Sequence, residues 1–94
     1  MLKIVDSIAV DGVYAFRETY GVPVEIIAEQ LLGYGIKIGW DAYIVSALAA
    51  GMKPSKIQAE IVATVVDLYK CPEDYATAAT QKLIDAELAK QPTL

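Results

Sequence analysis

The chain contains no histidine, three serines, one arginine and one cysteine. Imidazole general bases, Ser-His-Asp and Cys-His nucleophiles and imidazole metal sites are therefore excluded. Ser7, Ser46 and Ser55 are dispersed and Arg17 has no second arginine to work with. The acidic pairs Glu25 with Glu29 and Glu73 with Asp74 have the spacing of solvated helix positions, not of the converging oxygens that a hard cation needs. Gly33-Tyr34-Gly35-Ile36-Lys37-Ile38-Gly39 places glycines beside a lysine, as a phosphate-cradling loop would. It follows a helical pattern, however, and lacks the Lys-Ser/Thr and glycine positions of nucleotide-binding loops, so it reads as a helix C-cap and connector. No catalytic residue, cofactor, metal ligand or small-molecule substrate is assigned, and the expectation is a protein that is not an enzyme.

Ninety-four residues make one domain, 1–94, with a frayed tail over 91–94. The hydrophobic share is 55 %, above the roughly 45–50 % usual for soluble domains, and mean hydropathy is +0.39. The charge-free run Ala42 to Met52 is too short for the roughly 20 residues that span a bilayer, so no transmembrane segment is expected. The first five residues end at Asp6 without a signal-peptide core, and Cys71 has no second cysteine to pair with. These features predict a cytoplasmic or virion-internal protein that is not secreted. Net charge is −4 and the eight bases are scattered, which makes nucleic acid an unfavoured partner.

The elements that would position these residues are helical. Val24, Ile27, Ala28, Leu31 and Leu32 form an amphipathic stripe over 23–32, opened by Pro23 and closed by Gly33 and Gly35. A nearly uncharged helix over 41–50 has Asp41 as its expected N-cap and Gly51 as its end. The segment 54–70 starts with the capping-box spacing Ser55-x-x-Gln58 and carries Ile61, Val62, Val65, Val66 and Tyr69. Residues 72–90 place Glu73 and Asp74 in a first turn and are expected to bury Tyr75, Ala79, Leu83, Ile84 and Leu88. Residues 4–20 read as a helix, with Ile4, Ile8, Val13, Phe16 and Tyr20 near one face. A hairpin turning at Asp11-Gly12 is the competing reading.

An internal echo favours helix. Asp11 precedes Gly21, and Asp41 precedes Gly51, by ten residues; Pro23 and Pro54 each begin the string P-x-x-I-x-A-E. A duplicated unit near 11–32 and 41–69 would stack two helical hairpins. The fold expected is thus all-α, a small bundle of about five short helices.

Surplus apolar surface with no catalytic equipment predicts a non-catalytic protein–protein interaction or assembly module: a homo-oligomer or a subunit bound to another protein, of structural, adaptor or inhibitor type, such as a small phage structural or assembly-accessory protein. The candidate interface is Trp40, Tyr43, Ile44, Leu48 and Tyr34. The alternative is a helix-turn-helix DNA-binding regulator. Residues Pro23 to Gly33 followed by Tyr43-Ile44-Val45 have the pattern of such a unit, but Trp40 to Ala50 lacks the Arg, Lys, Asn or Gln that base readout uses. Gly51-Met52-Lys53-Pro54 to Val62 can open a second segment of this kind, better supplied with lysines, but Ala63 to Leu68 after it is apolar with Asp67 its one charged residue.

Overall fold

The computed structural model describes residues 8–90. Its elements are β1 (Ile8–Val10), α1 (Val13–Tyr20), α2 (Val24–Gly33), β2 (Ile36–Ile38), α3 (Trp40–Ala49), α4 (Pro54–Tyr69) and α5 (Glu73–Lys90). Five helices dominate, as the apolar periodicity predicts, and the strands are three residues each. The expected residues 91–94 tail lies outside the described residues.

Neither reading of 4–20 describes that segment fully. Val13–Tyr20 is helical, whereas Ile8–Val10 is extended and pairs in parallel with Ile36–Ile38, Ile8 opposite Ile36 and Val10 opposite Ile38. Residues 4–7 lie outside the described ones. Gly12 is the reason a hairpin does not form: at φ 79° it serves as the N-cap of α1 and accepts from the Phe16 N–H at 3.0 Å. The Asp-Gly turn signal thus marks a strand-to-helix corner. A parallel pair needs a long crossover between its strands, and α1 with α2 supplies it.

Helix starts differ from the cap expectations in two places. Gly39 is the N-cap of α3, and Asp41 sits in the first turn, where its charge still suits the helix dipole. Lys53 is the N-cap of α4, because Pro54 occupies the first helical position, where a missing N–H costs nothing. Ser55 therefore falls two places too late to cap. Gln58 leaves the helix end altogether, donating to the Thr77 carbonyl and to Gln81 Oε1 at 3.1 Å each and so stitching α4 to α5.

The core draws on every helix: Val13 and Tyr14, Val24 and Ala28, Tyr43, Ile44 and Ala47, Ile57 and Ile61, and Ile84, with Ile38 from β2. In α5 the inward face is Ala76, Thr80 and Ile84; Ile84 is buried as expected, and the other two lie one residue out of phase with the expected Tyr75 and Ala79. Tyr75 lies 67 % exposed, and Leu83 and Leu88 are also exposed. Small residues at 76 and 80 admit close approach of α5, which bulky Tyr75 would obstruct, so size outweighs hydrophobicity in setting the phase. The strand-helix-helix order occurs twice, and both hairpins turn at a left-handed glycine, Gly21 and Gly51. The matched strings do not share environments. Ile26 is 46 % exposed while Ile57 is fully buried, and Ala28 is buried while Ala59 is exposed. An offset of 30 instead aligns Ile27 with Ile57 and Leu31 with Ile61, all directed to the core.

Ile44 is fully buried and its neighbour Val45 is 47 % exposed, which gives a matched test. Ile44→Asp places an unpaired carboxylate in the core at a cost of several kcal/mol and is expected to abolish cooperative thermal unfolding followed by circular dichroism. Val45→Asp is expected to melt within about 0.5 kcal/mol of the parent. Equal behaviour of the two would refute the assigned phase of α3.

Candidate functional site

The densest polar arrangement joins three helices. Tyr14 and Arg17 share a face of α1, three residues apart. The Arg17 guanidinium donates through Nη2 to Glu60 Oε2 of α4 at 2.6 Å and through Nη1 to Glu18 Oε2 at 2.6 Å. Tyr43 of α3 donates its hydroxyl to the other Glu60 oxygen, Oε1, at 2.7 Å. The guanidinium lies 5.5 Å from the centre of the Tyr14 ring. Tyr14 meets Tyr43 edge-on at 5.5 Å, and Trp40 meets Tyr43 edge-on at 5.6 Å. One turn on, Thr64 donates to the Glu60 carbonyl at 2.9 Å.

The electrostatics make this cluster a clamp. Burial, and then the hydrogen bond and charge of Glu60, push the Tyr43 hydroxyl far above the ordinary phenol range. It remains a donor at any physiological pH. Burial works against the Arg17 charge, but Tyr43 and Glu60 outweigh it and raise the guanidinium above its ordinary value. Both Glu60 oxygens are engaged, one by each donor. The arrangement holds α1, α3 and α4 together and offers no nucleophile. Among the described residues, no cluster of three or more Cys, Asp or Glu could hold a metal ion.

A second acidic contact crosses from α2 to α4. The Asp67 carboxyl, and then desolvation and the charge of Glu29, raise the Glu25 carboxyl above the usual carboxylate value.

The predicted interface residues divide unequally. Tyr43 and Ile44 are core residues at 2 % and 0 % exposure, and Trp40 and Leu48 pack against that core half-buried. Tyr34 alone is freely presented. Tyr43 and Ile44 therefore spend their surface inside the chain, because α3 is enclosed by α1, α4 and α5. The α2–α3 segment anticipated as a DNA-reading unit is interrupted by β2, and Tyr43, Ile44 and Ala47 place the inner face of α3 in the core.

The exposed apolar surface lies elsewhere. Phe16 and Tyr20 on α1 meet at a tilt of 46° with ring centres 4.7 Å apart and stand 49 % and 67 % exposed. Beside them a groove of about 310 Å³ runs between α1 and α2, lined by Val13, Phe16, Val22, Ile26, Ile27 and Leu31, with Asp11 the one charged residue at its edge. Sequence periodicity places Phe16 and Tyr20 inward, because it continues one helix through Asp11-Gly12; the corner at Gly12 resets the phase. Among the described residues no helix is long and apolar enough to cross a membrane. In comparison with known proteins, the chain matches no family model, and no curated protein or solved structure is significantly similar to it.

Two outcomes are expected here. A double-mutant cycle of Arg17→Met and Glu60→Gln, read by urea unfolding, should give a coupling of about 1 kcal/mol or more, since both side chains are mostly shielded; additive effects would remove the clamp. The raised Glu25 value means folding favours its protonated form, so its contribution to stability is present below the ordinary 4.5 and lost as pH rises through the folded value. Glu25→Gln should therefore raise the melting temperature at neutral pH and flatten its fall between pH 4.5 and neutrality. An unchanged melting profile would place the two carboxyls apart.

Proposed function

We propose that the chain is a non-catalytic interaction module that assembles with copies of itself through the α1–α2 face. The observation that carries this reading is the Phe16–Tyr20 pair standing beside the apolar groove edged by Ile26. A projecting pair and a recess on one face are the requirement for a two-fold, self-complementary contact, in which each copy's aromatics enter the other's groove. A volume of about 310 Å³ accommodates one such side chain with room to adjust. The charge distribution points the same way. Each copy carries −4, and two like-charged copies approach with least repulsion across a face whose lining holds a single carboxylate. The role belongs to the structural, adaptor or assembly-accessory class, with binding through aromatic anchors.

Light scattering coupled to size-exclusion chromatography tests it. The parent chain should elute as a dimer or higher species at micromolar concentration, and Phe16→Glu should shift it to monomer with its helical circular dichroism unchanged. A monomeric parent, or an oligomer indifferent to Phe16→Glu, would overturn this interface.

A further inference from the structure

The α3–α4 turn carries a different signal. α3 and α4 are joined by Ala50-Gly51-Met52-Lys53. Gly51 takes φ 90°, a left-handed conformation that a side chain would strain, and the Met52 N–H closes back on the Ala47 carbonyl at 3.0 Å. Ala47 and Ile57 are both fully buried, and Ile61 and Met52 belong to or pack on the same cluster. Each has a physical task. A small residue in the first helix admits the second closely, glycine reverses the chain, Met52 anchors the turn, and a β-branched residue fills the gap from the second helix. Two helices joined by a short glycine-containing turn have the connectivity of a helix-turn-helix.

The outward side of this unit is basic. Lys53, Pro54, Ser55 and Lys56 are all exposed at the start of α4. Lys53 and Lys56 have no ion-pair partner among the described residues, and both line an open cavity of about 530 Å³ against Tyr14 and Arg17. Glu60, the nearest acid of α4 that could oppose them, already accepts from Arg17 and Tyr43. In a chain of net charge −4, this is a place where cations gather with their local acid neutralised.

We propose that α3 and α4 form a helix-turn-helix that binds duplex DNA, with α4 facing the groove and Lys53 and Lys56 meeting backbone phosphates. α4, not α3, then takes the recognition position. Base readout is sparse: Gln58, the residue best suited to adenine, is held by Thr77 and Gln81. Most of the affinity therefore comes from phosphates, and binding is salt-dependent and tolerant of sequence. The proposal is independent of the α1–α2 interface and stands whether or not the chain is monomeric.

The test is fluorescence anisotropy of a labelled duplex titrated with the full chain, from about 50 to 200 mM salt. Saturable binding at low salt is expected, with affinity falling steeply as salt rises. The double variant Lys53→Gln/Lys56→Gln should bind about tenfold or more weakly at the lowest salt, with a log–log salt slope reduced by about two. Because both side chains are exposed, circular dichroism should match the parent; a companion Lys82→Gln/Lys90→Gln on α5 should bind as the parent does. Absence of binding at the lowest salt, equal loss in the α5 variant, or an unaltered salt slope in the double variant would overturn the proposal.

Discussion

The Glu60 carboxylate is the constraint around which the helices are arranged. It sits mostly shielded between α1 and α3, where an unpaired charge would cost several kcal/mol. Two donors from two other helices satisfy it, Arg17 from α1 and Tyr43 from α3. Glu60 is the shared acceptor, so its removal takes away both cross-helix bonds at once, whereas loss of Arg17 or Tyr43 takes away one; the triad thereby couples the placement of α1, α3 and α4. The aromatic contacts of Tyr14 and Trp40 with Tyr43 continue that order into the apolar core. A core built mainly of Ile, Val and Ala specifies volume but little direction. One charged, hydrogen-bonded junction supplies the direction.

Helix identity was legible in the chain wherever apolar spacing was long and punctuated: Pro23, Gly33, Gly51 and Pro54 lie at or next to element boundaries. Face identity was harder. In α5 the inward residues are Ala76 and Thr80, which no hydrophobic reading selects over Tyr75 and Leu83, because tight helix approach rewards small size. The β1–β2 pair was hidden for a different reason. Three-residue strands carry almost no period, and the partner of Ile8 is twenty-eight positions away, beyond the reach of local pattern. The ion-pair triad was equally invisible, since Arg17, Tyr43 and Glu60 have no spacing rule and meet only after the helices pack. The candidate interface centred on α3 was drawn from that helix's lack of charge, a property that a buried inner face, here Tyr43, Ile44 and Ala47, also produces.

Two sides of the molecule thus differ in character. The α1–α2 side offers aromatic and aliphatic surface with little charge, whereas the α3–α4 turn offers lysines around an open cavity. They are supported by different contacts, Phe16 with Tyr20 on one side and Ala47, Met52 and Ile57 on the other. Substitutions on one surface need not disturb the other, because the Glu60 junction lies between them and holds both helix pairs in register.

The parallel strand pair bears on how the chain reaches this state. Val10 and Ile36 bracket twenty-five intervening residues that contain α1 and α2. Bringing the two strands together closes that loop at an entropic cost, repaid by only a few ladder bonds. Helices form on submicrosecond timescales and can pack first. The strand pair then acts as a late latch: it closes on a scaffold already built, and in the native state it is the first element to open.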